Sequence, residues 1–287
     1  MRARAVAGPV VVVALAASSA CEIVRPVDPL EAHPDVVALA LLLVAGESEA
    51  RLLAVHPHRD VADSTPEITA FLDGPGWTAS FSESVRLPTC GELGGSWLVP
   101  SKCLRAKLPE AIEPGGEYGL WGTAPLGSFT GETGVPELPL LVDPANTLRL
   151  SMPDTAGLIQ IPMRYAVGPE TGTVLADLYD VFEISEDGSE EEIPTSHIGA
   201  YPVALENAQA DTIRIYQDGV RMRLSLRLLG IGWNYTNFAK YPGIDPLPRP
   251  WPSFGIEGEG VYGYFDGIAH SETRRVFVGQ TGRHDRN

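Results

Sequence analysis

The sequence is poor in cysteine and in basic residues, and it lacks any apolar run long enough to form a membrane-spanning helix. Its 287 residues include 3 Cys, and 21 Lys and Arg stand against 37 Asp and Glu, so the net charge is −16. Such a negative field disfavours binding to nucleic acid and to anionic lipid surfaces. A membrane-spanning helix needs about 20 apolar residues, and no such run follows the N-terminal segment.

The short motifs of common catalytic sites are also absent. The chain contains no G-x-S-x-G nucleophile motif, no P-loop and no H-E-x-x-H zinc motif. His197 and His270 each stand alone among small and polar residues. We therefore expect a protein that is not an enzyme and that holds no cofactor and no metal. A hydrolase with an unrecognised site stays open as the weaker alternative.

The first 20 residues have the layout of a secretory signal peptide. Arg2 and Arg4 precede the apolar run AVAGPVVVVALAA, and the small residues SSA lead into Cys21. A cysteine at this point is typical of bacterial lipoprotein signals, in which cleavage leaves Cys21 as an acylated N-terminus, carrying palmitate or a similar chain. Ordinary cleavage with a free Cys21 thiol is the alternative. Removing this segment takes away two basic residues and no acidic one, so the net charge becomes −18.

Lipidation of Cys21 predicts where the protein works and one of its partners. Acyl chains that enter a bilayer contribute about 0.8 kcal/mol per buried CH2 group, and stable anchoring needs more than one chain. The lipid bilayer is then a partner through the N-terminal anchor, and the predicted location is the cell envelope, with the inner and the outer membrane both open on these residues.

The two other cysteines, Cys90 and Cys103, form an even pair once Cys21 carries lipid. In an oxidising compartment such a pair predicts a disulfide bond. It would close the short segment CGELGGSWLVPSKC, whose Gly, Ser and Pro content indicates an exposed loop. A zinc half-site is the alternative, but it needs two further ligands and no His lies between or beside these cysteines.

The distribution of Pro and Gly predicts an all-β fold. The 25 Pro and 30 Gly interrupt nearly every window and exclude long helices. Many short strands with frequent turn signals indicate two consecutive β-sandwich domains, the first immunoglobulin-like or carboxypeptidase-regulatory-like. The predicted segments are a signal peptide (1–20), a tether (21–34), an N-terminal sandwich (35–140), a C-terminal sandwich (141–279) and a tail (280–287).

Two segments carry the clearest strand patterns. The apolar run DVVALALLLVAG fits a buried helix or a buried strand, and its Val content and closing Gly favour the strand. In TIRIYQDGVRMRLSLRLL, apolar residues alternate with polar ones on both sides of Asp218 and Gly219. A period of two around an Asp-Gly pair predicts a β-hairpin with one buried face.

Two clusters have the side chains of metal ligands. His56 and His58 lie at a spacing that points both rings to one side of a strand, with Asp60 nearby, so they could share a metal. A polar strand end is the alternative and the one we favour. Residues 185–192, SEDGSEEE, hold five carboxylates that could bind calcium, but their spacing departs from the calcium-loop pattern. A solvated hairpin tip is the favoured interpretation there.

A basic stripe and an aromatic cluster are the remaining candidates for binding. The stripe could receive an acidic partner, although arginines in such stripes more often pair with carboxylates on neighbouring strands. Its members are Arg214, Arg221, Arg223 and Arg227. The cluster could stack on a ligand, or it could form the edge of a core. Its members are Trp233, Tyr235, Phe238, Tyr241 and Trp251.

The order of these features resembles that of a known family. A lipoprotein signal is followed by a DGPG turn, the strand GGEYGLWGT, the linker GETGVPELP and the closing segments NYTNF and SFGIEGEGVYGYFDGIAHSETRRV. This order is similar to an uncharacterised family of outer-membrane lipoproteins, often encoded beside TonB-dependent transporters. The resemblance covers most of the chain after Cys21 and implies location and architecture. The chain departs from the family in its cysteine pair and its acidic hairpin, and no catalytic residues carry over.

These observations together predict a membrane-tethered secreted lipoprotein. We expect it to act as a non-enzymatic binding or accessory component of an envelope complex or transporter. A structural or adhesive surface protein is the alternative from a different class. A concave aromatic patch near Trp233 and Trp251 would favour the binding protein, because a ligand site needs concavity and a structural module does not.

Overall fold

The computed structural model describes residues 33, 35–57, 59, 63–85, 90, 99–151, 157–194, 203–204, 210–217, 220–239 and 253–279. The predicted signal peptide, Cys21 and the predicted tail lie outside these residues. The strands of the first half are β1 (Val37–Val44), β2 (Glu49–Val55), β3 (Thr69–Gly74), β4 (Trp77–Ser80), β5 (Glu83–Val85), β6 (Ser101–Lys107), β7 (Glu117–Ala124) and β8 (Gly127–Gly134).

The remaining elements are nearly all strands as well. They are β9 (Leu140–Asp143), β10 (Leu148–Leu150), β11 (Gly157–Ala166), β12 (Thr171–Ile184), β13 (Glu190–Glu192), β14 (Val203–Ala204), β15 (Ala210–Gln217), β16 (Arg221–Gly232), the helix α1 (Trp233–Ala239), β17 (Ser253–Phe254), β18 (Glu257–Gly258), β19 (Val261–His270) and β20 (Arg274–Val278). The prediction of an all-β chain is confirmed. No helix within the described ranges has the length and hydropathy needed to cross a membrane.

The described strands form three sheets. The largest has twelve strands and follows the order β10-β20-β16-β19-β1-β2-β6-β5, with β12, β13 and β14 extending from β16 and with β17 beside β19. A five-stranded sheet has the order β18-β8-β7-β3-β4, and a three-stranded sheet has the order β15-β11-β9. Each smaller sheet packs against the large sheet, and the buried residues of the two layers form a common core.

The predicted pair of β-sandwiches is present, with the large sheet serving as one layer of both. The first core joins apolar side chains of β1 and β2 to those of the five-stranded sheet, including Leu72, Leu120 and Phe129. The second core joins β12, β16 and β20 to the three-stranded sheet. Residues 256–265, from the end of the chain, also enter the first core through Ile256, Val261 and Phe265. The division near residue 140, as a boundary between independent folding units, stays a prediction.

Strand β1 is buried on both faces. Leu39 and Leu41 point into the first core, while Ala38 and Ala40 enter a third cluster on the opposite side of the large sheet. This explains why the sequence of β1 is a continuous apolar run, since alternation requires one solvated face. The preference for a buried strand over a helix is confirmed.

The first strand of the described chain pairs with β19, the last strand but one. β1 lies parallel to β19 from the Val37–Val261 pair to the Val44–Ile268 pair. Gly263, opposite Leu39, adopts a φ of 119°, and a Cβ there would lie 1.8 Å from the Leu39 carbonyl oxygen. Only glycine fits this position, because both the left-handed backbone and the close approach exclude a side chain.

The predicted hairpin around Asp218 and Gly219 is wrong in its strand pairing. β15 pairs with β11 in the three-stranded sheet, whereas β16 pairs with β12, β19 and β20 in the large sheet. The alternation itself is as expected, since Ile213, Ile215 and Leu224 are buried. β15 and β16 lie in opposite layers and both face the second core. Two strands arranged in this way have the same alternation of apolar and polar residues as the two strands of a hairpin. Residues 218 and 219 lie outside the described part of the chain.

Helix α1 begins at a buried carboxylate. The backbone N–H of Tyr235 donates to Oδ2 of Asp266 at 2.6 Å, and Oδ1 accepts from the Gly267 N–H at 2.8 Å and from the Thr133 hydroxyl at 3.2 Å. Asp266 is 1% exposed. A Cβ on Gly232 would lie 1.9 Å from Oδ1, so the chain can enter α1 beside this carboxylate only through glycine. Asp266 thus supplies, from a distant strand, the N-terminal cap that α1 lacks in its own sequence.

Replacing Asp266 should destabilise the fold. Asp266→Ala leaves the three donors without their acceptor, and a buried unsatisfied donor costs about 1–3 kcal/mol. We expect the free energy of unfolding to fall by about 2–4 kcal/mol in urea titrations followed by circular dichroism. Glu272→Ala, on an exposed carboxylate six residues away, is the matched control and should change it by less than about 0.5 kcal/mol. Equal effects of the two changes would contradict the assigned role.

The same carboxylate should give a pH signature. Burial raises the pKa of Asp266 and outweighs the hydrogen bonds that it accepts. A folded-state pKa above the unfolded one means that the contribution of this group is largest below the unfolded pKa and is lost as pH rises through the folded pKa. The difference in the free energy of unfolding between the native protein and Asp266→Asn should therefore fall with rising pH. A difference that rises with pH would contradict the buried carboxylate as its source.

Candidate functional site

The outer face of the five-stranded sheet is the strongest candidate for a functional surface. Its side chains form cross-strand rows, because residues paired in register lie on the same side of a sheet. The central row contains Ser80, Phe71, Trp121, Thr130 and Glu257 in spatial order. With neighbouring strands about 4.8 Å apart, this row is roughly 19 Å long.

Trp121 and Phe71 form a stacked pair at the centre of that row. Their ring centroids are 4.2 Å apart and their planes differ by 17°. Asp73 holds the indole, since Oδ2 accepts from Trp121 Nε1 at 2.9 Å and Oδ1 accepts from the Thr78 hydroxyl at 2.6 Å. Trp121 is nevertheless 40% exposed. We name Phe71, Asp73 and Trp121 the Trp121 platform.

Hydroxyl groups and carboxylates surround the platform. The exposed hydroxyl residues of this face are Thr69, Thr78, Ser80, Thr123, Ser128 and Thr130. Its exposed carboxylates, besides the half-buried Asp73, are Glu117, Glu132 and Glu257. No Lys or Arg occurs in β3, β4, β7, β8 or β18, all of which are fully described. The face is therefore polar and negative, with one aromatic pair at its centre.

The strands position the platform through their alternation and one tight turn. In β3, Ala70 and Leu72 are buried while Phe71 and Asp73 face outward; in β7, Leu120 is buried beside the outward Trp121. The β3–β4 hairpin closes through Pro75 and Gly76, and Gly76 has a φ of 81°. This confirms the predicted DGPG turn.

A glycine interrupts the row of side chains beside the rings. Gly119 lies between Asp73 on one neighbouring strand and Glu132 on the other. A Cβ there would stand at ordinary contact distances, 3.7 Å from the Asp73 Cβ and 3.9 Å from the Gly131 carbonyl oxygen. The row beside Trp121 therefore lacks one side chain, at a position between two carboxylates.

The platform was not anticipated from the sequence. Its signal is present, since Phe71 and Trp121 both occupy the outward phase of alternating strands, where polar residues are expected. The two residues are 50 positions apart, however, and only the β3–β7 register brings them opposite each other. A single sequence does not determine that register.

The aromatic cluster predicted as a ligand site is divided by the structure. Tyr235 and Phe238 pack with Tyr264 at centroid distances of 5.0 and 4.7 Å, as part of the third hydrophobic cluster. This is the core-edge alternative for both residues. Trp233 is 48% exposed, and its Nε1 donates to the Pro169 carbonyl at 3.2 Å.

The other two members of that cluster, Tyr241 and Trp251, lie outside the described residues. A ligand on the exposed ring of Trp233 stays a prediction. The short helix that carries Trp233, Tyr235 and Phe238 was not anticipated from the sequence.

The histidine cluster proposed for a metal is only partly described. His56 is buried, and its Nδ1 is 3.0 Å from the Val36 carbonyl. Burial lowers the pKa of His56 despite that contact. His58 and Asp60 lie outside the described residues. Across the ranges that the structure does describe, no three metal-ligating side chains come together.

The disulfide between Cys90 and Cys103 is present, with their Cα atoms 5.9 Å apart. Both residues join the third hydrophobic cluster, on the side of the large sheet away from the first core. This bond joins residue 90 to strand β6. The zinc alternative for these cysteines is therefore wrong.

His270 does not assemble a catalytic relay with its neighbours. Its Nδ1 is buried without a hydrogen-bond partner in the described structure, and burial lowers its pKa. The adjacent Ser271 hydroxyl accepts from the Leu228 N–H and donates to the Glu272 carbonyl, so it is committed to backbone groups. His197 lies outside the described residues, and the absence of enzyme activity stays a prediction.

Carboxylates and rings hold the central arginines of the basic stripe. Arg223 pairs with Glu190 at 2.6 Å and lies 4.3 Å from the Phe182 ring centroid. Arg227 pairs with Asp177 at 2.8 Å and lies 4.5 Å from the Tyr179 ring centroid. The interpretation of cross-strand pairing is confirmed for these two.

The outer arginines of the stripe lie apart from each other. Arg221 donates to the Ser185 carbonyl at 2.9 Å, whereas Arg214 is on the three-stranded sheet opposite Gln160. The acidic segment 185–192 is a hairpin tip between β12 and β13, as favoured. Within it, hydrogen bonds from Ser189 lower the pKa of Asp187.

Comparison with known proteins gives no family. No protein-family model matches the chain, and no curated protein matches it. Among solved structures the chain is similar to titin domains Z1Z2 in complex with telethonin (15% identity, 87% of this chain and 100% of that chain, TM-score 0.20). It is also similar to the N-terminal Ig1-2 module of the Drosophila receptor protein tyrosine phosphatase DLAR (10% identity, 86% of this chain and 99% of that chain, TM-score 0.25). A pullulanase from Anoxybacillus sp. is a further match (13% identity, 66% of this chain and 24% of that chain, TM-score 0.21). TM-scores this low carry no argument about this chain.

The platform should tolerate substitution far better than the core beneath it. Trp121→Ala removes one stacked pair and one exposed hydrogen bond, so we expect a loss of about 1–2 kcal/mol in the free energy of unfolding. Leu120→Ala, the adjacent residue on the opposite face and 1% exposed, should cost about 2–5 kcal/mol. Urea titration of both variants gives the comparison. A larger loss for Trp121→Ala would mean that the indole serves the fold rather than a surface function.

Proposed function

We propose that this chain is a lipid-anchored envelope protein that binds a ligand or partner on the Trp121 platform and catalyses no reaction. In this function it is an accessory component of an envelope complex or transporter at the outer membrane. Cys21 carries the acyl chains, and the five-stranded sheet carries the binding surface.

The fixed but exposed indole of Trp121 is the observation that carries the binding function. An aromatic side chain gains about 1.5–3 kcal/mol from full burial, yet this one stands on a solvated face. Asp73 and Phe71 restrict its orientation, so little conformational freedom remains to be lost on binding. A preorganised, exposed aromatic group of this kind is what recognition surfaces use as an anchor.

The N-terminal segment supports the anchor. Thirteen residues separate Cys21 from Asp35, where the continuously described fold begins. A chain of that length spans at most about 45 Å. An acylated Cys21 would therefore keep the β-sandwiches close to the membrane surface and still let them turn toward a partner.

Cys21→Ser should release the protein from the membrane. Without acyl chains, the net charge of −18 after the leader gives no attraction to an anionic bilayer. We expect the variant in the soluble fraction, while mass spectrometry of the native protein finds an acylated cysteine at the mature N-terminus. The double variant Cys90→Ala/Cys103→Ala is the control and should stay with the membrane. A Cys21→Ser protein that sediments as firmly as the native one would contradict the anchor.

Loss of the platform should remove the bound ligand or partner without removing the anchor. After mild detergent extraction, the native lipoprotein should be recovered with an envelope protein or a non-protein ligand, and Trp121→Ala should be recovered without it. Tyr216→Ala, which removes an aromatic side chain that is 48% exposed on the three-stranded sheet, is the control and should leave the recovery unchanged. Equal recovery with Trp121→Ala would move the site elsewhere. Recovery of nothing with the native protein would favour a structural or adhesive role.

A further inference from the structure

We infer that the ligand of the Trp121 platform is a neutral polysaccharide. This inference rests on the proposed function and names the ligand class of the same surface. Three features of the outer face of the five-stranded sheet support it. They are its negative charge, the stacking of its two aromatic rings, and the presence of both hydroxyl groups and carboxylates around those rings.

The charge of the face excludes an anionic ligand. Glu117, Glu132 and Glu257 are exposed there, and the five strands contain no Lys or Arg. A polyanion such as a nucleic acid or an acidic polysaccharide would meet carboxylates in three of the four cross-strand rows and no opposing cation in these strands. The ligand is therefore neutral or cationic.

The ring geometry favours a neutral ligand over a cationic one. Binding of an ammonium group by aromatic side chains uses rings arranged around the charge. Here Phe71 covers one face of the Trp121 indole at 4.2 Å and 17°, so the two rings leave no space for a cation between them. Asp73, the carboxylate beside the rings, already accepts from Trp121 and Thr78. What the pair offers is an apolar surface on which the C–H side of a sugar ring can stack.

The surrounding groups match a hydroxylated ligand. Six exposed Ser and Thr residues stand on this face beside four carboxylates. A hydroxyl group both donates and accepts, and a carboxylate accepts only. Together they can exchange hydrogen bonds with sugar hydroxyls, which also do both. An ammonium ligand would use the acceptors and leave the donor capacity of the hydroxyls unused.

The shape of the surface indicates a polymer rather than a single sugar. Sites for small molecules are concave and enclose most of the ligand. The central row of this face is roughly 19 Å long at normal strand spacing, and the row beside it has one position without a side chain, at Gly119. An extended chain can cover several rows at once, so weak contacts at each row add up along its length.

Affinity electrophoresis of the acylated protein in detergent tests the inference. Native gels would contain one soluble polysaccharide each: amylopectin, mixed-linkage β-glucan, galactomannan or arabinoxylan as neutral probes, and polygalacturonate as the anionic probe. We expect at least one neutral probe to retard the native protein and polygalacturonate not to do so. Retardation should be unchanged by added salt, because no charge pairing is involved.

Three variants connect the binding to the platform. Trp121→Ala should weaken the retarding interaction at least tenfold, equivalent to about 1.4 kcal/mol. Thr130→Val, a small exposed change in the same row, should weaken it without affecting the fold. Tyr216→Ala removes an aromatic group that is 48% exposed on the three-stranded sheet and should leave the retardation unchanged. Thermal melts of all three show whether each is folded.

Other outcomes separate this inference from the proposed function. Binding of poly-lysine in pull-downs, lost in Trp121→Ala and in high salt, would overturn the neutral ligand and leave a binding function on the platform. Retardation by polygalacturonate would overturn the charge argument. No retardation by any of the neutral probes, with an envelope protein still recovered through Trp121, would also overturn the polysaccharide ligand. Retardation that survives Trp121→Ala and Thr130→Val would overturn the site.

Discussion

The parallel pairing of β1 with β19 is the constraint on which the rest of the fold depends. It joins the first described strand to the last long one over eight residue pairs and makes β1 an interior strand of the large sheet. Parallel neighbours require coverage of both sheet faces, and β1 has it. One face meets the five-stranded sheet, and the other meets α1, β17 and the disulfide-bonded cysteines. The close contact at Gly263 fixes the register.

This coverage determines which surfaces remain for recognition. Tyr235 and Phe238 of α1 pack against one face of the large sheet and cover it there. Asp266 accepts a hydrogen bond at the start of this helix and so holds it in place. The five-stranded sheet contributes one face to the first core and leaves the other to solvent. Its outer face is therefore supported by a packed core. These properties allow Trp121 to stay exposed in one orientation without cost to the fold beneath it.

Much of the fold followed from local patterns, whereas the site depended on long-range pairing. The continuous apolar run of β1 and the Pro75–Gly76 turn were predictable, because burial on two faces and a positive φ each restrict the residues at single positions. The pairing of β15 and β16 was not predictable, because alternation reports a buried face without naming the partner strand. Phe71 and Trp121 come together by the same kind of pairing. The alternating patterns of β3 and β7 predict that Phe71 and Trp121 are each exposed. Only the β3–β7 register shows that the two rings lie side by side.

The charge distribution links the anchor to the platform. In the second sandwich, Arg227 forms an ion pair with Asp177 on the adjacent strand β12, and Arg223 forms one with Glu190 on β13, the strand beyond β12. These pairs balance the positive charge of both arginines. The outer face of the five-stranded sheet has carboxylates and no basic residues, so part of the chain's excess negative charge is concentrated there. Anionic lipid head groups repel such a face. A protein of this charge cannot adsorb to a membrane electrostatically, and a covalent lipid on Cys21 would supply the attraction. With the proposed lipid anchor, the same repulsion would turn the Trp121 platform away from the bilayer.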